Sequence, residues 1–111
     1  MTKWHLEKTQ SGVTLSRSLP ARFDVMAQTD LPMAEGVRMA HQIRQDVWRA
    51  LRSVRGFSPV VEITRKEGGL HIKAGGRAPK PIARNTVERI VSVLENPQNR
   101  ARWVRCAGGL T

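Results

Sequence analysis

The sequence predicts an α+β fold: a small antiparallel sheet of about five strands, in the order β-β-β-α-β-β-α, packed on two helices, with room for a short third C-terminal helix. Three observations predict it. Segments near the N-terminus and again around residues 61–72 alternate apolar with other side chains, the two-residue period of a half-buried strand. Residues 31–55 instead carry apolar side chains three and four apart, the period of an amphipathic helix. A second, shorter run of that kind opens at Val87.

Taken in order, Trp4 and Leu6 in residues 3–8 and Val13 and Leu15 in residues 13–17 mark two strands. The turn residues Thr9-Gln-Ser-Gly12 join them as a hairpin. Phe23, Val25 and Ala27 alternate as a third strand, reached through Leu19-Pro20. Asp30 reads as the N-cap of a helix over 31–55, with Pro32 acceptable in its first turn and Gly56 closing it. Its apolar stripe is Met33, Val37, Ala40, Ile43, Val47, Ala50, Leu51 and Val54.

Val61, Ile63, Leu70 and Ile72 bracket Gly68-Gly69, which predicts a hairpin with a two-residue loop pairing Ile63 with Ala74. One face is then apolar, and the other carries Thr64, Lys66, His71 and Lys73, wet and basic. Gly75 to Pro81 reads as a connector. Asn85 and Glu88 are spaced as a capping box for a helix with Val87, Ile90, Val91 and Leu94 inward. Asn96-Pro97 stops that helix or caps a short one through Cys106, ended by Gly108-Gly109. The 111 residues are expected to form one domain, 1–111.

Charge is the most informative part of the composition. Nineteen Lys and Arg, fourteen of them Arg, face nine Asp and Glu, giving a net +10. Such a balance attracts phosphate-rich or acidic partners. The cations fall in three acid-free windows: Arg49, Arg52 and Arg55; Lys73, Arg77, Lys80 and Arg84; and Arg100, Arg102 and Arg105. At about 100° per residue, Arg38, Gln42, Gln45, Arg49 and Arg52 share the face of the first helix opposite its apolar stripe. Arg offers phosphate a two-pronged fork, and Gln offers a base edge a donor and an acceptor. Paired glycines at 75–76, ahead of a helix start, suggest an anion nest.

The candidate nucleic-acid-binding residues are therefore Arg38, Gln45, Arg49, Arg52, Lys66, Lys73, Arg77, Lys80, Arg84, Arg100, Arg102 and Arg105. Trp103 is expected to seal the core, and Trp48 to pack partly under the sheet or at its rim. Aromatic residues make up only 5% of the chain, which argues against single-strand base stacking as the main mode.

Catalysis and metal binding lack their residues. His5, His41 and His71 fall in three different elements, none with a second ligand at zinc spacing. Cys106, the single cysteine, has no identifiable base and suits a reducing compartment. No cofactor is implied, and no metal. The N-terminus lacks a signal-peptide apolar stretch and no run is long enough to span a bilayer, so a cytoplasmic location off the membrane is expected.

Double-stranded-RNA-binding, RRM and KH patterns do not match. The expected function is non-enzymatic binding of nucleic acid, DNA or RNA, through phosphates. The alternative is an adaptor or assembly module docking on an acidic protein, with sheet edges that would also admit a homodimer. Convergence of the basic windows on one side would favour the first.

Overall fold

The computed structural model describes residues 4–108, so Lys3, expected in the first strand, and Gly109, expected to help end the last helix, lie outside the described residues. The elements are β1 (His5–Lys8), β2 (Gly12–Ser16), β3 (Val25–Leu31), α1 (Gly36–Leu51), β4 (Ser58–Lys66), β5 (Gly69–Arg77), α2 (Thr86–Glu95) and α3 (Pro97–Cys106). All five strands join one antiparallel sheet in the order β1-β2-β4-β5-β3. The architecture is α+β, as the alternation of the two periods requires.

One sheet face is apolar because alternate residues of every long strand point the same way. Val13, Leu15, Val61, Ile63, Leu70, Ile72, Ala74, Val25, Ala27 and Leu31 are buried there. The helices cover that face: α1 over β2 and β4, α2 over β3. They contribute Met39, Ala40, Ile43, Val47 and Leu51 from α1 and Ile90 and Leu94 from α2. α3 lies against both helices and seals the assembly with Trp103, which is 0% exposed as its sequence setting suggested.

The other sheet face is open along part of its length. The segment between β2 and β3 crosses it at one end: Pro20 accepts from Arg77 through its carbonyl, and the Lys73 ammonium sits 4.9 Å from the Phe23 ring centre. Ser16 and Val60, neighbours across β2 and β4 on this side, are buried. Elsewhere Thr64, Lys66, His71 and Lys73 lie on this face, with Glu62 and Asp30 among them. Glu62 stands directly opposite Lys73, and Asp30 opposite His71. The face is wet, but mixed in charge rather than basic.

The elements differ from the expectation at several boundaries, each for a physical reason. Asp30 is not a helix cap; β3 runs on to Leu31 because residues 28–31 pair with β5, and Asp30 Oδ1 lies 2.8 Å from His71 Nδ1. α1 begins at Gly36 instead of residue 31. Its cap is Glu35, whose carboxylate accepts from the Val37 and Arg38 amides at 3.1 and 2.7 Å. Those bonds, Arg38's first, hold the Glu35 carboxyl below its ordinary range. Met33 therefore lies outside the helix and is exposed. At the other end α1 stops at Leu51, and Gly56, with φ +79, turns the chain into β4.

The hairpin turn is also shifted by one residue, since Lys66 pairs with Gly69 and Ile63 with Ile72. Glu67-Gly68 forms the loop, with Gly68 at φ +82. Gly69 serves a different end: it is buried, and a β-carbon there would overlap the Leu31 carbonyl of the neighbouring strand. Finally, β5 extends through Arg77, which takes Gly75 and Gly76 out of the connector and into the sheet. Asn85 makes no side-chain bond to α2, so the capping box is not formed, whereas Asn96 Oδ1 does cap α3 through the Asn99 amide at 3.0 Å.

Candidate nucleic-acid interface

The outer face of α1 is built by subtraction. With its apolar stripe on the sheet and its α2–α3 flank taken by packing, the remaining side carries Arg38, Gln45, Arg49 and Arg52. Arg38, Arg49 and Arg52 are exposed, and Gln45 is half-buried. The only acid in α1 is Asp46, and it is turned away from this side. Its Oδ2 accepts from Trp103 Nε1 at 2.7 Å and from the Arg102 guanidinium, on the flank that faces α3.

A second set of cations reaches the same end of α1 through the connector. Arg77 lies opposite Ser58 at the start of β4. Arg89, in the first half of α2, donates to the Ala50 carbonyl at 2.6 Å. A β-carbon on Gly56 would lie 3.2 Å from the Pro79 ring. These contacts lay residues 77–89 beside the C-terminal end of α1. Exposed Lys80 and Arg84 therefore share a pole with Arg49, Arg52 and Arg55. Among the described residues, none of these five cations has a carboxylate within 4.0 Å.

The third basic window does not join them. Arg100 donates to Thr29 Oγ1 at 2.8 Å, to the Leu94 carbonyl at 3.0 Å and to the Asp30 carbonyl, fastening α3 to the end of β3. Arg102 is held by Asp46 and by Asn99 Oδ1 at 3.1 Å. Arg105 is exposed in the last turn of α3, where the Ala107 carbonyl accepts from the Glu35 amide at 3.0 Å. That puts it at the N-terminal end of α1, across a helix about 24 Å long from the pole just described.

The remaining candidates also have internal partners. Lys66 pairs with Asp30 at 3.0 Å, Lys73 lies over Phe23, and Arg77 holds Pro20. Of the twelve, Arg49, Arg52, Lys80 and Arg84 lie on segments that adjoin at the C-terminal end of α1, Arg38 and Gln45 extend the same helix face, and the rest are structural or stand apart. The anion nest is not formed: Gly75 and Gly76 are buried in β5, where a β-carbon would overlap the Val25 and Ser58 carbonyls. Arg55 completes the pole. It lies in the first acid-free window, past the end of α1.

His71 illustrates how the open face is internally satisfied: Asp30 Oδ1 and Gln28 Oε1 lie 2.8 and 2.7 Å from its two ring nitrogens. Hydrogen bonding by His71, then by Lys66, holds the Asp30 carboxyl below its ordinary range. A cavity of about 210 Å³ opens between α1 and the β1–β2 turn, lined by Lys8, Glu35, Arg65 and apolar residues including Val13 and Leu70. Neither His71 nor Cys106 lines it. Among the described residues no group of three or more His, Cys, Asp or Glu is placed to hold a metal ion. No helix among them is long and apolar enough to cross a membrane.

Comparison of this chain with protein-family models, with curated proteins and with solved structures finds no match.

Proposed function

We propose that this protein binds nucleic acid without catalysing a reaction, contacting phosphates through the pole at the C-terminal end of α1. One observation carries the reading: Arg49, Arg52 and Arg55 lie at the end of α1 beside the segment that carries Lys80 and Arg84, and none of the five has a carboxylate partner among the described residues. Unpaired, exposed cations of this density repel one another, and an anionic ligand relieves the repulsion. Arg38 and Gln45 lengthen the contact along α1.

Fluorescence anisotropy against labelled duplex DNA, single strands and structured RNA tests the proposal. Binding at low salt should weaken steeply as salt rises. Five phosphate contacts would give a log–log slope of about −4.5, from about 0.9 per contact on B-DNA. Absence of binding to all three ligands at low salt would refute it.

A second reading, a protein partner, is favoured by a different surface. β3 has a partner on one side only, and its seven residues contain neither Lys nor Pro to discourage pairing. Beside it, Val87 and Val91 of α2 are 39% and 42% exposed on the flank away from α1. Strand addition by a second copy would cover both. Light scattering should then show a dimer that Val87→Lys/Val91→Lys converts to monomer; a monomeric wild type at all concentrations removes this reading.

A further inference from the structure

The outer face of α1 carries one side chain that phosphate binding does not explain. Trp48 is 37% exposed, and it is the sole aromatic among the large apolar side chains left exposed in the described residues. The other tryptophans have internal roles. Trp103 is fully buried, and Trp4 is half-buried with the Arg44 guanidinium 4.6 Å from its ring centre. An indole left at the surface forgoes part of the largest apolar burial any residue offers, so its surroundings matter.

Those surroundings are cationic. On a helix, residues three and four apart are neighbours. Trp48 therefore stands between Arg44 and Arg52, with Gln45 behind it, while Arg49 lies further round the same exposed side and Arg55 follows in the turn after α1. Arg44 is occupied by Trp4, but Arg49, Arg52 and Arg55 have no carboxylate within 4.0 Å among the described residues. Asp46, the acid that could neutralise this side, is committed to Trp103 and Arg102 on the other flank.

We propose that Trp48 is a stacking platform for an unpaired nucleobase, with Arg52 and Arg55 holding the flanking phosphates of a single-stranded nucleic acid. The proposal rests on the nucleic-acid reading above and names its ligand class. An aromatic face accepts any base, while paired bases inside a duplex present no free face to it. The same helix inserted in a duplex groove would leave the indole without a partner. An acidic protein surface would satisfy the arginines but supplies no flat π-system to the ring. This reverses the expectation drawn from aromatic scarcity: one indole suffices when it is the exposed one and has free arginines on the same side of the helix.

The experiment compares a 20-nucleotide oligo(dT), the matching oligo(U), a duplex, heparin and an abasic oligonucleotide of equal length, by anisotropy or competition. Wild-type protein, Trp48→Phe and Trp48→Ala are measured with each. Loss of one stacked base corresponds to about tenfold or more in affinity. Trp48→Ala should therefore weaken single-strand binding about tenfold or more, leave heparin and duplex within about twofold, and abolish ligand-induced quenching of the exposed indole. Trp48→Phe should recover most of the affinity.

The abasic strand makes the same comparison with the protein unaltered, so an unstable variant cannot mask the result, and wild type should bind it about tenfold more weakly. Equal affinity of wild type for abasic and normal strands, or undiminished single-strand affinity in Trp48→Ala, overturns the stacking role while phosphate binding stands. Failure of wild type to bind any nucleic acid overturns the parent reading as well. The oligo(dT) and oligo(U) arms distinguish DNA from RNA as the source of the base.

Discussion

Replacing Asp46 by alanine probes the contact that ties Arg102 and Trp103 of α3 to α1. Asp46 Oδ2 accepts from the Trp103 indole and from Arg102, and its side chain is 13% exposed. Removing it strands the indole N–H in a site with no solvent, since Trp103 is 0% exposed. An orphaned buried donor costs about 1–3 kcal/mol. Arg102 is a third exposed and returns to water readily, so its share is under about 1 kcal/mol.

The expected loss for Asp46→Ala is therefore about 2–3 kcal/mol, or roughly 10 °C in Tm for a chain of this size. Urea titration followed by far-UV circular dichroism reads it. A double-mutant cycle with Trp103→Phe, which removes the donor, should show a coupling of about 1–2 kcal/mol, because the orphan no longer exists in the double variant. Arg102→Ala should lower stability slightly and leave the salt slope of any nucleic-acid binding unchanged. An unshifted midpoint in Asp46→Ala, or strict additivity in the cycle, would refute this account of how α3 is held.

Arg52→Glu combined with Arg84→Glu should reduce nucleic-acid affinity and flatten the log–log salt slope by about 2, measured by anisotropy across a salt series. Gly69→Ala should cost about 3 kcal/mol or more by denaturant titration, since its methyl would overlap the Leu31 carbonyl. Gly68→Ala, with open space around it but φ +82, should cost only about 1 kcal/mol. Acid should destabilise the fold in two stages. Burial, then Arg44, lowers His41 from its ordinary 6.5, and hydrogen bonds lower Glu35 from 4.5 and Asp24 and Asp30 from 3.8. All four shifts favour the deprotonated form in the folded chain. The stability they confer is thus complete above about pH 7, with His41's share lost as pH falls below 6.5 and the carboxylates' share below 4.5. A Tm that stays level from pH 7 to pH 3 would contradict this.

Periodicity made the fold class and the core legible. Leu15, Ile63, Ile72, Ile43, Val47 and Ile90 each sit where the local apolar spacing put them, because burial of one face is decided within a single element. What escaped local reading was set by partners distant in sequence. Asp30 has the chemistry of a cap, and only pairing with His71, 41 residues on, makes it a strand residue. Gly75 and Gly76 resemble a flexible linker until the Val25 and Ser58 carbonyls are seen to press on them from both neighbouring strands. The basic windows were legible as charge but not as surface. Arg100 and Arg102 find their acceptors on β3, α2 and α1, which no spacing rule reveals. Trp48 was legible as a helix residue, and its flank position and four-residue spacing from Arg44 and Arg52 were the available signal of its setting.

The strand order β1-β2-β4-β5-β3 fixes a sequence of events for the growing chain. β2 and β3 each need a neighbour from the β4–β5 hairpin, and that hairpin begins only at Ser58. Of the described residues, those translated earlier, 4–57, supply only a lone two-stranded ribbon, a lone strand and a helix whose apolar stripe has no sheet to lie on. An isolated ribbon of that size is marginal in water, and closing loops of this length is slow. The first half of the chain therefore emerges as an unfolded segment with Ile43, Val47 and Leu51 exposed, and it acquires structure only when its second half supplies the centre of the sheet. A fragment ending before Ser58 should be unstructured by circular dichroism, and folding of the whole chain should be set by docking of the two halves rather than by formation of α1.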